Sequence, residues 1–576
     1  MRNLKGNSEK NAAFSQIIIS YFATFGIKDA FISPGSRNTS LTQALLANSD
    51  INTYSIVDER SSAYVALGKT KSDKYKRPVL VITTSGTAVA NLFPGIVEAF
   101  MSKMSMIIIT ADRPKKLVGT GSNQTIYQNE IFGRYTKFFD ANPYIENIQE
   151  YFENSYKHKK KDELFLFIRK IYSISTKGLN HLIDGEECSP MPVHLNVPFD
   201  EPLSHKGFFP NIFKPNFSNK PHNPKSFLVN DDMGYSHSRI LIICTDICDP
   251  VIIKASEKYH VPIFMECRSS RFDKKSKNII SSYDAILKNY TIKPDIILRF
   301  GSRPISKKLN ELIDKNKQKT YSVSVQRRDN LNSSIIEIVQ YLNKNKKTIN
   351  KSWCDKIINN QKIIENQIQS FFKTPKCYEG YIINSIISAI PKNSNLMVGN
   401  SSPIRDLDSF TFNLDKKINI YSNRGASGID GLISTAIGIS IENKSFNALI
   451  IGDVSFYYDL TALNIANNIP VSLTIFIINN SGGHIFDRLD GLKTQSKSNY
   501  EKYWLTPVNL DIKSVAKAFN CHYQKITLNQ YQKIDKIVNQ LNTKDRKINL
   551  IEIMVDSEEH HSNNKEIEDR IKQLFI

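Results

Sequence analysis

Short apolar, β-branched runs alternate with amphipathic stretches along most of the chain. In the first 200 residues the runs are AFIS (30–33), TYSIV (53–57), PVLVITT (78–84) and MSMIIITAD (104–112). Between them lie stretches of helical character such as NAAFSQIIISYFATFG (11–26) and GTAVANLFPGIVEAFM (86–101). Strands that are apolar on both faces and separated by helices predict a parallel sheet covered on both sides. The pattern recurs in RILIICTD (239–246), VPIFMEC (261–267), DIILRFGS (295–302) and TYSVSV (320–325). It recurs again in SNLMVGNSS (394–402), NALIIGD (447–453), VSLTIFIINN (471–480) and NLIEIMVD (549–556). A proline-rich polar stretch at 201–225 reads as a linker, and the lysine- and asparagine-rich sequence around 343–378 as another boundary. The expected fold is therefore α/β, with three doubly wound parallel-sheet domains at 1–200, 226–350 and 375–576.

Composition narrows the class. With 40% hydrophobic, 23% charged and 10% aromatic residues the chain reads as a soluble globular protein. It has no run of about 18 uncharged apolar residues, so no membrane span is expected. The N-terminal MRNLKGNSEKNAAFSQ lacks the apolar segment of a signal peptide. Seven cysteines (188, 244, 248, 267, 354, 377 and 521) are scattered, and only Cys244 and Cys248 are close. Free thiols in a reducing cytoplasm are expected rather than disulfides or a zinc site. The formal charge of +20 raises the question of nucleic acid. The lysines are diluted along the whole chain, however, and the densest run, KHKKKDELF (157–165), ends in acids and has no interleaved aromatics. A solvated basic surface is expected, with no nucleic-acid partner, while a local pocket for small anions stays open.

Candidate chemistry sits at strand ends, where open parallel sheets bind their ligands. NALIIGD ends in Gly452-Asp453, and VSLTIFIINN ends in Asn479-Asn480 followed by Ser481-Gly482-Gly483. If the two strands are adjacent, the Asp453 carboxylate, the Asn480 amide oxygen and the Gly482 carbonyl supply half of an octahedral Mg²⁺ shell. The glycines let backbone approach a diphosphate, and a helix starting after Gly452 offers it N–H groups. Taken alone, a GD strand end is better read as an aspartate cap.

The combination of GD with NN, Asn480 standing 27 positions after Asp453, resembles the fingerprint of thiamine-diphosphate (ThDP) enzymes. Members of that family carry a glutamate at a strand end of the N-terminal domain. It hydrogen-bonds the cofactor's aminopyrimidine ring and favours the imino tautomer that deprotonates the thiazolium. Glu59 in SIVDERSSAYVALGK (55–69) is the matching residue, and Asp58 and Arg60 are expected to be its structural neighbours. Further blocks match in order: FISPGSRNTSL (31–41), TTSGTAVANLFPGIVEA (83–99), ITADRP (109–114), TGSNQTI (120–126), GNSSPIRDLD (399–408), NRGASGIDGLISTAIG (423–438) and GDVSFYYDLTAL (452–463). Together they resemble the 2-succinyl-5-enolpyruvyl-6-hydroxy-3-cyclohexene-1-carboxylate synthase family, ThDP enzymes of menaquinone or phylloquinone biosynthesis. The match covers both end domains, and the central domain matches only at RFGSRPISKKL (299–309).

The resemblance implies pyrimidine-binding, central and diphosphate-binding domains, and the cofactors ThDP and Mg²⁺ (or Mn²⁺). It implies decarboxylation of 2-oxoglutarate and 1,4-addition of the succinyl carbanion equivalent to isochorismate. Cofactor contacts carry over to Glu59, Ser401, Gly452, Asp453, Asn480, Gly482 and Gly483, with Ile429 as the wedge beneath the bent cofactor. The metal ligands are Asp453, Asn480 and Gly482. Substrate contacts carry over to Ser36, Arg37, Arg113, Asn123, Gln124, Lys307, Lys308, Ser401, Arg405, Arg424, Ile485, Phe486 and Leu489. Both substrates are dianions, which arginine forks suit. Lys308 stands where the family often has arginine, and Asp490 where relatives commonly have proline. His484, at a position that varies in the family, is expected to line the pocket in its neutral form. Family active sites join two chains, so a homodimer or dimer of dimers is expected. The alternatives are another ThDP-dependent 2-oxoacid decarboxylase or acetolactate-synthase-like carboligase and, more remotely, a basic nucleic-acid-binding protein.

Overall fold

The computed structural model describes residues 6–144, 163–178, 189–205, 238–269, 275–323, 328–412, 416–492, 494–541 and 547–576. Most of the 201–225 stretch, Cys188 and the lysines of the 157–165 run lie outside them. The chain divides into two compact units, the first comprising Met1–Lys220, Asn423–Asn443 and Tyr458–Val471.

The first unit holds a six-stranded sheet of β1 (Asp29–Ile32), β2 (Asn52–Ser55), β3 (Val79–Thr83), β4 (Met106–Asp112), β5 (Lys137–Asp140) and β6 (Pro192–Pro198). The order is β2-β1-β3-β4-β6-β5 and every pairing is parallel. Each of the four apolar runs overlaps a strand. Every residue of β3 and β4 is buried, as strands covered on both faces require. The stretch expected as one helix over 86–101 is two, Thr87–Asn91 and Phe93–Met101. Pro94 lies in the first turn of the second helix, where its missing N–H costs nothing and its ring ends the first.

Two helices of this unit, Glu59–Ser72 and Leu432–Ser440, touch backbone to backbone. A Cβ on Gly68 would lie 2.0 Å from the Thr435 carbonyl oxygen, and one on Gly438 would lie 2.0 Å from that of Val65. Neither neighbour is a flexible tip that could move aside. Gly68→Ala is therefore expected to lower stability by about 1–3 kcal/mol, the usual cost of overpacking. Thermal unfolding against Gly491→Ala, whose added Cβ meets open space, measures it. An equal midpoint for the two variants would refute the close crossing.

The second unit comprises Pro221–Ser422, Lys444–Tyr457 and Ser472–Ile576 and holds two parallel sheets. The central one contains β7 (Ile240–Cys244), β8 (Ile263–Met265), β9 (Ile279–Ile280), β10 (Ile296–Phe300) and β11 (Thr320–Val323), ordered β11-β10-β7-β8-β9. The last contains β12 (Ser394–Val398), β13 (Ile418–Tyr421), β14 (Asn447–Gly452), β15 (Leu473–Asn479), β16 (His522–Ile526) and β17 (Ile548–Met554). Its order, β13-β12-β14-β15-β17-β16, repeats that of the first sheet strand for strand. The polar 343–378 stretch forms a helix, Lys351–Phe371. Its apolar stripe of Ile357, Ile364, Ile368 and Phe371 joins a core shared with Phe264 and Tyr283 of the central domain and Tyr378 and Phe412 beyond it. No helix among the described residues is long and apolar enough to cross a membrane. The described cysteines are free thiols.

Candidate active site

Strand order fixes where ligands bind. In the first sheet the chain reverses its direction of travel between β1 and β3, and in the last between β12 and β14. Loops leaving the carboxyl ends of such a strand pair diverge and open a crevice. Most of the sequence-predicted residues follow strands of these two sheets, and Lys307 and Lys308 follow a strand of the central one.

In the first sheet, Ser36 and Arg37 follow β1, Glu59 follows β2 and Arg113 follows β4. Ser36 is exposed and Arg37 is buried. Arg37 donates from Nη1 to the Phe199 carbonyl at 2.9 Å and from Nη2 to Glu201 Oε1 at 3.2 Å. Arg113 Nη1 lies 3.8 Å from the same carboxylate oxygen. The side chain of Glu201 is 70% exposed, so two partly shielded guanidiniums converge on a carboxylate that solvent, or another carboxylate, can displace. The Nε atoms of both arginines are buried without an acceptor. Behind Arg113 lies a polar network. Asn196 donates to Asp112 at 2.9 Å, Gln128 donates to Asn196 at 3.0 Å, and Gln128 accepts from Gly86 N at 2.9 Å. Burial pushes the Asp112 carboxyl up to about 6. A cavity of 240 Å³ opens here, lined by Arg113, Tyr127, Gln128 and Asn196 among others. Asn123 and Gln124 are exposed, and Gln124 reaches the Ser85 carbonyl beyond β3 at 3.4 Å.

The three charges of the Asp58-Glu59-Arg60 triplet have different partners. Asp58 caps the helix, accepting from Ser61 N at 3.2 Å and from Thr461 Oγ1 at 2.8 Å. Arg60 donates to the Tyr458 carbonyl at 3.2 Å and lies 3.7 Å from the buried Asp459. Glu59 opens the helix, is half-buried and accepts a long hydrogen bond of 3.4 Å from Asn91. Arg424 and Ile429 stand on a loop of the same unit, where Ile429 is exposed.

In the last sheet, β14 and β15 are neighbours, so Asp453 and Asn480 leave adjacent strand ends. Asp453 is 6% exposed and its Oδ2 has no hydrogen-bond partner. Burial pushes its carboxyl up to about 6, although the N–H groups of Val454 and Gly482 offset part of the effect. Asn480 Nδ2 donates to Glu379 Oε1 at 2.8 Å, which leaves its amide oxygen for another partner. Gly482 has φ 142°, and a Cβ there would lie 2.6 Å from the Leu505 carbonyl oxygen. An orphaned buried carboxylate oxygen beside an amide oxygen and a backbone carbonyl is an all-oxygen donor set that fits Mg²⁺. Gly452 and Gly483 flank it, and Ser401, with φ 72°, follows β12 and precedes the helix Ser402–Phe410. Arg405 Nη1 donates to the Ser401 carbonyl at 2.5 Å.

Ile485, Phe486 and Leu489 follow on the turn after Gly483, with Phe486 37% and Leu489 51% exposed. Lys307 and Lys308 are exposed at the start of the helix Lys307–Lys315, after the central β10, and Lys308 pairs with Glu311 at 3.0 Å. They belong to a different sheet edge from the Asp453 group. His484 is bonded to Asp487 and Ser557, a more specific role than lining a pocket.

Two buried acids carry structural work that had no sequence signal. Glu98, in the apolar helix Phe93–Met101, accepts from Gly425 N at 3.0 Å and Ala426 N at 2.6 Å, fixing the loop that bears Arg424 and Ile429. Lys71 bridges Glu98 at 3.4 Å and Asn423 at 2.7 Å. Glu379 orients Asn480. Burial raises its carboxyl, and burial with the Glu379 charge pushes neighbouring Asp406 up to about 7.

Comparison with known proteins agrees with this geometry. Residues 13–131 match the thiamine pyrophosphate enzyme N-terminal TPP binding domain, and residues 409–553 match the C-terminal TPP binding domain. The chain is a thiamine-diphosphate enzyme. It is 31% identical to the 2-succinyl-5-enolpyruvyl-6-hydroxy-3-cyclohexene-1-carboxylate synthase of Bacillus pumilus, over 88% of this chain and 89% of that one. The synthase of Bacillus velezensis is also 31% identical, over 88% of each chain, and that of Listeria welshimeri is 29% identical over 96% and 98%. The chain belongs to the 2-succinyl-5-enolpyruvyl-6-hydroxy-3-cyclohexene-1-carboxylate synthase family.

Proposed function

We propose that this enzyme decarboxylates 2-oxoglutarate and joins the remaining succinyl unit to isochorismate by 1,4-addition, releasing one CO₂. The observation that carries the reading is a family relationship spanning 88% of the chain, and the resemblance of the blocks around Arg37, Arg113 and Arg424 supports it. When bound, ThDP supplies the electron sink that stabilises the carbanion left after CO₂ loss. The protein's own residues bind, orient and manage protons. Asp453, Asn480 and the Gly482 carbonyl would hold Mg²⁺ (or Mn²⁺) and through it the diphosphate. Glu59 would hold a proton against the aminopyrimidine ring. Arg37 and Arg113 already share the Glu201 carboxylate, which supports a role in receiving a substrate carboxylate in its place. Arg405 and Arg424 are assigned to the second dianion, and Ile485, Phe486 and Leu489 to its apolar flank. The enzyme is assigned to the cytoplasm and to a dimer or dimer of dimers.

The test is an assay of purified protein with ThDP, Mg²⁺, 2-oxoglutarate and isochorismate, with sedimentation of the same sample. Isochorismate consumption matched by CO₂ release from a dimer or tetramer is expected. Turnover of pyruvate without isochorismate consumption would overturn the substrate assignment, and an active monomer the assembly.

A further inference from the structure

Three potential metal ligands converge beside the Gly482–Gly483 loop without belonging to the Asp453 group. His484 Nδ1 and His561 Nε2 each lie 2.8 Å from the same oxygen, Oδ2 of Asp487. His484 and Asp487 share one short turn, His484–Arg488, whose i,i+3 side chains eclipse. His561 comes from the C-terminal helix Ser557–Gln573. The three ligand atoms lie within 4.8 Å of one another.

What distinguishes the cluster from a chance group of side chains is its outer shell. Metal-binding histidines are held by a hydrogen bond to the second ring nitrogen, and ligating carboxylates by one to the second oxygen. Each ligand here has that anchor. His484 Nε2 meets Ser557 Oγ at 2.8 Å, and His561 Nδ1 meets the Ser557 carbonyl at 2.5 Å. Asp487 Oδ1 accepts from the Tyr500 hydroxyl. His561 Nδ1 faces a carbonyl and must donate to it. Its Nε2 then faces the Asp487 carboxylate at 2.8 Å. A cation held between these atoms keeps the same neighbours in place.

We propose that His484, Asp487 and His561 form a second metal site, selective for a divalent transition metal such as Zn²⁺ or Co²⁺ and distinct from the Mg²⁺ group at Asp453. Two imidazoles with one carboxylate are borderline ligands that favour such ions over Mg²⁺. Bonds of about 2.0–2.1 Å in tetrahedral geometry set ligand atoms about 3.3 Å apart, so binding must lengthen each 2.8 Å contact by about 0.5 Å and bring the two ring nitrogens, now within 4.8 Å, to the same spacing. The His561 side chain is 48% exposed, which leaves a fourth position to water. An occupied site would tie the turn carrying Ile485 and Phe486 to the C-terminal helix.

The experiment is a Co²⁺ titration of the full-length enzyme held in excess Mg²⁺ and ThDP, followed by visible absorption and equilibrium dialysis. One Co²⁺ per chain, released by Zn²⁺, is expected. His561→Ala should weaken uptake at least tenfold, and Tyr500→Phe, which removes only an outer-shell bond, by about 10- to 100-fold. Asp453→Asn, lacking the Mg²⁺ ligand, should retain Co²⁺ binding. Absence of Co²⁺ uptake overturns the site, as does uptake unchanged in both His561→Ala and Tyr500→Phe, or lost with Asp453→Asn alone.

Discussion

Glu59→Gln is expected to bind ThDP and Mg²⁺ normally and to lose CO₂ release by about 10²-fold or more, the scale of a positioned proton carrier. The amide keeps the shape of the carboxylate, and Asn91 can still donate to its oxygen, so folding and cofactor affinity should hold. Only the charge that favours a proton on the facing ring is lost. The neighbouring charges give a built-in contrast. Asp58 is engaged by Ser61 N and Thr461, and Arg60 by Tyr458 and Asp459, so their loss should act on stability first. Asp58→Ala should cost about 1 kcal/mol as a lost helix cap. Single-turnover decarboxylation, with ThDP affinity and thermal unfolding measured on the same samples, separates these effects. Near-normal turnover in Glu59→Gln would remove Glu59 from the mechanism.

Legibility of the fold in the sequence followed burial. β3, β4, β14 and β15 are apolar on both faces and stand out as continuous runs. The strands KFFD, INIY and HYQKI carry a weak apolar signal because β5, β13 and β16 lie at sheet edges, where most residues of each strand are half-buried or exposed. β6 was hidden for another reason. It is interior, but its buried His194 and Asn196 break the apolar pattern because they belong to the polar network of Thr110 and Asp112. The 343–378 stretch hides its helix through composition: its lysines and asparagines coat a helix whose single apolar stripe is buried. The same distinction holds at the site. Asp453 and Asn480 were legible because strand ends and glycines mark them. Glu98 acts through a contact 327 residues away at Gly425 and Glu379 through one 101 residues away at Asn480, and no local spacing announces such pairings.

Asp453→Asn should move stability and function in opposite directions. The carboxylate is buried, its Oδ2 has no partner, and burial raises its pKa from about 3.8 to about 6. A carboxyl with a raised folded-state pKa favours the folded state most below the unfolded value. That contribution is lost as pH rises towards the folded value, so above about 6 the protein bears the full cost of an unpaired buried charge. Two pKa units correspond to roughly 3 kcal/mol. Without Mg²⁺, Asp453→Asn should therefore unfold at a higher temperature than the parent at pH 8 and at nearly the same temperature at pH 4. With Mg²⁺ and ThDP the ranking should reverse, because the parent gains ligand stabilisation and the variant, lacking the anionic ligand, gains little. In the parent, apparent Mg²⁺ affinity should fall about tenfold per pH unit below 6, as proton and cation compete for one carboxylate. Thermal scans at both pH values, with and without Mg²⁺ and ThDP, test both halves. A variant destabilised without cofactor at pH 8, or stabilised by cofactor as strongly as the parent, would show that Asp453 is a packing residue rather than an open metal ligand.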